Sequence, residues 1–471
     1  MSLNNTAEQY MAFDPNFAAV RFGTGRSPSH TPPRSVDAWM RSVDGRIESE
    51  FPLHTWDVLQ PILAASNAAR KEKLKLRRAK VPQAEQKKAD QAAKAADRER
   101  KTVRHQTMKH FIGRGAFDTT GFSTRLSLFW ADHFSAKGKS RLWTDMTGDY
   151  LDTAIRPHIL GTFEDMLVAV LMHPLMLHYL DQTSSTGPNS VRGTQKPGLG
   201  VNENLAREVM ELHTLGVGGP YTQDDVQSLA NVLTGLTASN TTGFRFRAKL
   251  AEPGPHDLLG ATYGDKRPAL KTIVAVAQDL ARHPATAQHL ARKMAKHFVS
   301  DTPTDALVDA MVGAFGTTGD LAQMTEAMLR HKDAWTPGAG NVKWSLEYMM
   351  GVMRAMDMPR HRFDDFNNKK MFQLFQIPLR AMGQPFFEMS GPDGLAEDDG
   401  DVMRPHTLAA RLDWALRAPD AFVRGLPDPR KILPNALAGD IPQSLKFAVK
   451  SAESRHEGLA MIFVSPAFQR R

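Results

Sequence analysis

The strongest constraint on the fold of this chain is the spacing of its apolar residues, which recurs at helical intervals over most of the length. In each such segment, apolar residues three and four positions apart share one face. The segments are 35–47, 56–66, 119–134, 145–156, 162–181, 269–281, 284–299, 304–316, 318–331, 341–355, 366–380, 404–418, 440–452 and 455–463. The sequence therefore predicts a mainly α protein.

One segment breaks this pattern. FRFRAKL (244–250) alternates apolar and basic residues and is followed by a Pro/Gly turn and LLGATYG, which predicts a β-hairpin and loop over 242–264. No repeat of fixed period is visible. We expect an N-terminal tail at 1–16, followed by a single large multi-helical domain over 17–471 with a small β-hairpin excursion.

The net charge of +8 comes from one segment. Residues 70–104 hold 14 Lys and Arg against 5 Asp and Glu, a local excess of +9, so the rest of the chain sums to −1. The segment is rich in helix formers and contains Pro82, which predicts a protruding basic helical hairpin at 67–107. We interpret this arm as a solvated surface excursion, with an electrostatic partner as the alternative. It has no aromatic residues for base stacking, which disfavours nucleic acid.

Several function classes lack their signatures. The absence of cysteine excludes disulfides and thiolate metal sites, and no P-loop, dinucleotide fingerprint or Gly-x-Ser-x-Gly elbow indicates a nucleotide, a flavin or a serine hydrolase. The apolar run 166–180 is too short for a membrane span. The N-terminus has no classical export signal, so we expect a cytoplasmic protein. Periplasmic location, or export together with a partner, is the alternative.

The densest ionisable stretch is NENLAREVMELHTLGVGG (202–219). Asn202 is a suitable N-cap and Gly216 can end the helix in a left-handed turn, while Thr222 and Asp225 predict a capping box for the next helix. At 100° per residue, one stripe of the first helix comprises Asn204, Arg207, Glu208 and Glu211. His213 falls on the opposite, apolar arc and should be buried.

Two interpretations of this stripe stay open. In the first, Arg207 pairs with Glu211 on a solvated face and the charges only support the scaffold. In the second, Glu208 and Glu211 project into a cleft as acid/base groups or as ligands of a hard divalent metal, and Arg207 keeps them ionised and binds an anion.

Further candidates lie on other segments. FWADHFS places Asp132 and His133 at the end of a helix, and the stretches RPH, HPLMLHYLD and EPGPHD contribute His158, Asp181, His256 and Asp257. None of the pairs has the His-x-x-x-His spacing of a helical zinc site. Two long Gly/Pro-rich loops, 184–200 and 390–401, are further candidates for a functional surface, together with the helix at 202–219.

The order of these motifs resembles a large bacterial family filed as domain of unknown function 1800 (DUF1800). The resemblance extends from about residue 17 to the end and rests on RFGTG (21–25), FWADHFS, IRPHILGTFEDM, GLGVNENLAREVMELHTLGVGG, HPATAQHLARKMAKHFV, GQPFFE with PDG, and SPAFQRR. The family's polar motif residues correspond here to His133, His158, Asp181, Asn202, Glu203, Asn204, Arg207, Glu208 and Glu211.

The resemblance implies no established reaction. Family members often resemble secreted proteins and are often encoded beside a protein that looks like a sulfatase-type hydrolase. This chain departs from the family in lacking a visible signal peptide, in its basic insertion, and in having Leu395 where the family tends to have tryptophan.

Three hypotheses follow. The first is a hydrolytic or metal-assisted enzyme, with Glu208, Glu211, His133 and Asp181 as catalytic residues. Its substrate would contact Arg207, Asn202, Asn204, His158, His256 and Asp257. The second is a non-catalytic partner or escort for the sulfatase-like neighbour. The third is association of the basic arm with nucleic acid.

Overall fold

The computed structural model describes residues 13–239, 242–338 and 340–471. Helices dominate this part of the chain, and its strands form two small antiparallel sheets, so the predicted mainly α class is confirmed. Most of the predicted N-terminal tail, residues 1–12, lies outside the described residues. None of the described helices combines the length and the apolar character needed to cross a bilayer.

In the N-terminal half, the α-helices are Pro15–Arg21, Val36–Arg41, Arg46–Glu50, Trp56–Arg78, Gln83–Phe117, Phe122–His133, Arg141–Thr144, Thr147–Tyr150, Phe163–Met172, Pro174–Tyr179, Val191–Gln195, Asn204–Glu208 and Gln223–Val232.

In the C-terminal half, they are Leu270–Arg282, Pro284–Phe298, Asp305–Phe315, Leu321–Arg330, Ser345–Ala355, Arg360–Asp364, Asn368–Met371, Ile377–Ala381, Asp399–Val402, Pro405–Arg417, Pro419–Phe422, Pro429–Ala436, Gln443–Ser451, Arg455–Val464 and Pro466–Gln469. Leu151–Ile155, Val209–His213 and Phe372–Gln376 are π-helical, and Arg156–His158, Gln182–Ser184 and Lys332–Trp335 are 3₁₀ turns.

The β-structure differs from the single predicted hairpin. Leu236–Ser239 pairs with Gly243–Phe246, and His256–Leu258 pairs separately with Ala261–Tyr263, both antiparallel. The alternation of FRFRAKL does not continue as a strand beyond Phe246 because the backbone turns there. The segment LTAS, the first strand of the first hairpin, was missed because four residues are too few for a period-2 pattern to stand out.

The predicted basic hairpin is confirmed as two long helices, Trp56–Arg78 and Gln83–Phe117, with Pro82 as the N-cap of the second. Asp90 links the two helices through ion pairs to Lys73 (3.0 Å) and Arg77 (3.2 Å). The second helix continues from the arm into the body, where its last turns are buried. The charged arm is therefore a direct extension of a core helix.

The apolar side chains of the described residues form one continuous core cluster, from Ala18 to Phe468. A buried ion cluster lies within it. Glu347 Oε2 accepts a hydrogen bond from Arg471 Nε (2.9 Å), and Glu347 Oε1 lies 2.7 Å from Arg125 Nε in an ion pair that is not aligned as a hydrogen bond. All three side chains are at most 1% exposed. The carboxylate of Glu347 therefore compensates two cations that have no access to water.

Candidate functional site

The helix at the centre of the predicted site begins where Asn202 fixes the chain. Its side-chain Oδ1 accepts the backbone N–H of Asn204 (2.9 Å), and its Nδ2 donates to the backbone carbonyl of Asp181 (3.3 Å). The helix is α over Asn204–Glu208 and π over Val209–His213. Asn202 thus joins the helix start to the turn at Asp181. These two contacts orient the segment. The N-cap of the helix is Glu203, one residue after the predicted Asn202.

The C-terminal end of this helix is buried, and its last carbonyls need partners because a helix end has no intrahelical donors for them. His133 Nε2 donates to the carbonyl of His213, and His289 Nε2 donates to that of Leu212, each at 3.1 Å. Thr214 Oγ1 donates to the carbonyl of Val209 (2.7 Å). His133, predicted as catalytic, is placed here as a fully buried cap for a neighbouring helix.

Three imidazoles meet beneath this helix end. The ring centroid of His133 lies 6.1 Å from those of both His213 and His289. Burial, reinforced by the nearby charge of Lys293, holds the pKa of His133 well below its usual range and lowers that of His213 to about 3. These rings are therefore neutral at physiological pH, and Nδ1 of His133 and both nitrogens of His213 have no hydrogen-bond partner among the described residues.

On the outer edge of the helix, Arg207 is held by two carboxylates. Its Nη1 donates to Glu211 (3.1 Å) and its Nη2 donates to Glu203 (3.2 Å), which confirms the expected Arg207–Glu211 pair. Gln223, the first residue of the next helix, accepts from Arg207 (3.0 Å) and donates to Glu203 (3.1 Å). This network joins the two helices. The predicted capping box at the start of the second helix is confirmed. The first helix ends earlier than predicted, at His213, although Gly216 has the expected left-handed backbone.

Glu208 differs from the other acidic residues on this edge. It is half-buried and makes no side-chain hydrogen bond or ion pair with any described residue, because Arg207 is engaged by Glu203 and Glu211. Burial raises the pKa of Glu208, and the negative charges of Glu211 and Asp393 raise it further, against the opposing effect of Arg207. Glu208 is therefore a carboxyl group whose proton is retained to higher pH than usual.

Tyr179 is affected by the charge of Glu208 and lies near Lys139, the ion-pair partner of the predicted residue Asp181. Tyr179 is buried, and after burial itself the charges of Glu208 and Asp393 raise its pKa. Lys139 lies with its Nζ 5.9 Å from the Tyr179 ring centroid and donates to Asp181 Oδ2 (2.6 Å). Asp181 is thus held in an ion pair of its own by Lys139, which also lies beside Tyr179.

The loop 390–401 approaches Glu208 through Asp393, whose charge acts on the Glu208 carboxyl group. Its turn at Gly394, with φ +87°, packs directly on the carboxyl group of Asp132, which accepts the N–H of Leu395 (2.7 Å). Burial raises the pKa of Asp132 to about 7. A Cβ on residue 394 would come within 2.4 Å of Asp132 Oδ2, so this close approach requires glycine.

Lys293 was not predicted from the sequence. It lies on the helix Pro284–Phe298 one turn from both His289 and His297, which share its face at a spacing of four residues. Its charge affects the pKa of the surrounding histidines and of Asp132, although it makes no hydrogen bond or ion pair with a described residue. The signal in the sequence was the spacing of 289, 293 and 297 within HPATAQHLARKMAKHFV.

The remaining predicted residues contact other elements. His158 lies in the 3₁₀ turn after the π-helical segment Leu151–Ile155. Burial lowers its pKa, and the charge of Asp165 opposes this only in part. His256 is in the second hairpin, opposite Tyr263, and Asp257 accepts from Thr262 Oγ1 (2.6 Å). Asn204 is exposed. Over the described ranges, no group of three or more His, Asp or Glu side chains has an arrangement suited to a metal ion.

Residues 22–470 match a protein family described as "Protein of unknown function (DUF1800)". No curated protein and no solved structure matches the chain.

Proposed function

Because this chain belongs to the DUF1800 family, which is described as being of unknown function, we propose its function from the site alone: acid–base catalysis of a hydrolytic reaction, with Glu208 as the proton donor. The observation that carries the proposal is the isolation of the Glu208 carboxyl group. It is half-buried, it has no partner among the described residues, and its pKa is raised. A general acid needs a carboxyl group that stays protonated close to the working pH.

The second reacting group in this proposal is Asp393. It is exposed on the facing loop and close enough to Glu208 for its charge to raise that residue's pKa. A substrate bond between the two elements would receive the Glu208 proton on its leaving group, while Asp393 takes a proton from the attacking water. Arg207 and Glu211 hold the helix edge, and Asn202 fixes the helix start.

The electrostatic part of the proposal can be tested without a substrate. The pKa of Glu208 should be measured by NMR on protein labelled at the glutamate carboxyl carbons, with the signal assigned through Glu208→Gln. We expect a value above the usual 4.5, and a lower value in Asp393→Asn. Asp365→Asn, in another part of the fold, is the control and should leave it unchanged. A normal pKa for Glu208 in the wild type would contradict the assignment.

The catalytic part requires a substrate screen. Nitrophenyl esters, glycosides and sulfate esters cover the main hydrolysable bond classes. For a substrate that is turned over, Glu208→Gln should lower kcat by about 100-fold or more, which is typical of losing a general acid. Activity in the wild type should fall as pH rises through the Glu208 pKa. Glu326→Gln, an exposed glutamate, is the matched control; full activity in Glu208→Gln would refute the role.

A second candidate function, the escort role, is supported by two exposed valines, one before and one after the helical segment 204–213. Val191 is 53% exposed and Val217 77% exposed. The segment around the short helix Val191–Gln195 is fixed to the chain after the first hairpin, because the N–H groups of Gly187 and Arg192 donate to the carbonyls of Leu250 and Lys249. Co-purification with a sulfatase-like neighbour, lost in a Val191→Asp, Val217→Asp variant, would favour this role over catalysis.

A further inference from the structure

A polar cavity lies at the RFGTG motif, and Glu208 is not among its lining residues. Its volume is about 280 Å³. Its polar lining includes Asn16, Arg26, Ser27, His30, Thr119 and Arg354. Two arginines, a histidine and two hydroxyl groups are thus among the lining residues, and within the described ranges no carboxylate is.

The motif itself shapes this cavity. Thr24 Oγ1 donates to the carbonyl of Gly115 (2.6 Å), which fixes the turn against the end of a core helix. Gly25 has φ +111°, and a Cβ there would lie 3.2 Å from the Cα of Gly351 on a packed helix. Glycine is required at this position because the backbone is left-handed and the neighbouring helix is close. The turn then directs the next residue, Arg26, to the cavity.

Arg354 supplies a buried positive charge to the cavity wall. Its side chain is directed at backbone carbonyls, with Nε donating to Gly25 (2.7 Å) and Nη2 to Thr119 (2.9 Å). The residue is 2% exposed and forms no ion pair with a described carboxylate. Burial lowers its pKa to about 10, so it stays charged at neutral pH. Carbonyl dipoles and the more distant charge of Asp118 offset this cation, but no carboxylate pairs with it directly, so the wall keeps a positive potential.

Arg26 is the second cation of the cavity that has no carboxylate in direct contact. Its Nη1 donates to the carbonyls of Pro434 (2.6 Å) and Leu437 (2.5 Å), and Nε and Nη2 make no hydrogen bond with a described residue. It also forms no ion pair in the described part of the chain. One edge of its guanidinium is thus anchored, and the other edge is available as a two-donor fork, a geometry that matches carboxylate and phosphate oxygens.

The carboxylates nearest to this cavity do not line it, and those beside His30 are already engaged. Asp118 accepts the N–H of Gly121 (2.7 Å), and Asp357 accepts from Ser27 Oγ (3.3 Å). Asp14 affects Arg26 only through its charge, and its Oδ1 caps the first described helix. These acids reduce the positive potential of the cavity without filling it.

We propose that this cavity is a binding site for an oxyanion, the phosphate or carboxylate group of a small molecule. Arg26 binds the anion through its free fork, the Thr119 hydroxyl donates a hydrogen bond, and Arg354 contributes charge from the wall. The site is independent of the proposed catalytic function. The volume accommodates a small metabolite around the anionic group.

The test is isothermal titration calorimetry of the full chain at pH 7 and 0.15 M NaCl. Inorganic phosphate and succinate serve as separate probes, so that a phosphate site is distinguished from a carboxylate site. We expect saturable binding of at least one probe at one site per chain. Arg26→Gln should weaken that binding about tenfold or more, because a charge-assisted pair is lost. Thr119→Val should weaken it by about fivefold through loss of one hydrogen bond.

Arg46→Gln is the matched control, since Arg46 is 78% exposed and pairs with Asp44 outside the cavity. It should bind like the wild type. Thr119→Val keeps the test decisive if Arg26→Gln fails to fold through loss of its bonds to Pro434 and Leu437. Absence of binding by both probes, or equal binding in Thr119→Val and the wild type, would overturn the proposal.

Discussion

Replacing Glu347 by glutamine removes the one negative charge between Arg125 and Arg471 while keeping the volume of the side chain. Both arginines are 0% exposed. After the substitution Arg125 keeps hydrogen bonds to the carbonyls of Arg21 (3.2 Å) and Gly23 (3.0 Å), but no counter-charge as close as Glu347. Removing one partner of a buried ion pair typically costs about 3–5 kcal/mol.

The magnitude translates into a measurable melting shift. An unfolding entropy of about 2.1 cal/mol/K per residue gives about 1 kcal/mol/K for 471 residues, so Glu347→Gln should lower Tm by about 3–5 °C. Calorimetry and urea unfolding are the assays. Glu326→Gln is the control, because Glu326 also lies 2.7 Å from an arginine, Arg330, but at 42% and 52% exposure. It should cost at most about 0.5 kcal/mol.

The pH dependence provides an independent check on the same residue. Burial alone would raise the pKa of Glu347, but the charges of Arg125 and Arg471 outweigh it and the pKa is lowered. The stability gained from this carboxylate is present above its unfolded-state pKa and is lost as pH falls through the lower folded-state value. Glu347→Gln should therefore lose less stability on acidification than the wild type. The reasoning would be refuted if Glu347→Gln and Glu326→Gln lowered the free energy of unfolding equally, or if Glu347→Gln lowered it by less than about 1 kcal/mol.

Three further outcomes are expected. Glu208→Gln should stabilise the protein at neutral pH in urea unfolding, because an acid with a raised folded-state pKa opposes folding once pH exceeds that value. Gly394→Ala should destabilise by about 1–3 kcal/mol in thermal melts through its left-handed backbone and its clash with Asp132, whereas Gly400→Ala should be nearly neutral. His213→Phe should lose less stability than the wild type between pH 7 and 4. In the folded wild type His213 stays neutral down to its pKa of about 3, whereas in the unfolded chain it binds a proton below pH 6.5, so acid favours unfolding.

Helical periodicity located the helices well where their ends carry local signals. The prediction of 284–299 corresponds to the observed Pro284–Phe298, and Pro82 separates the arm helices as expected. The predicted continuous helix 162–181 is instead interrupted at His173, which is extended with ψ 131° because a proline follows it. The His173–Pro174 pair was visible in the sequence, but the apolar periodicity on both sides of it favoured a continuous helix.

The candidate site was only partly predictable. The burial of His213 and the pairing of Arg207 with Glu211 followed from helix geometry within one segment. The capping contact of His133 could not be predicted in this way, because its partner is a carbonyl 80 residues away in the chain. The proximity of Asp393 to Glu208 is likewise set by how the loop 390–401 packs on Asp132, which no local pattern encodes.

The π-helical turn at Val209–His213 allows the helix to accommodate a change in length. A π turn contains one residue more than the α turn it replaces. Deletion of a single residue there would restore an α turn, and the residues that follow would keep their direction relative to Glu208. The carbonyls at the helix end would then still face His133 and His289. A one-residue deletion in this turn should therefore be tolerated better than one in a regular α-helix such as Pro284–Phe298, where everything that follows would rotate by about 100°.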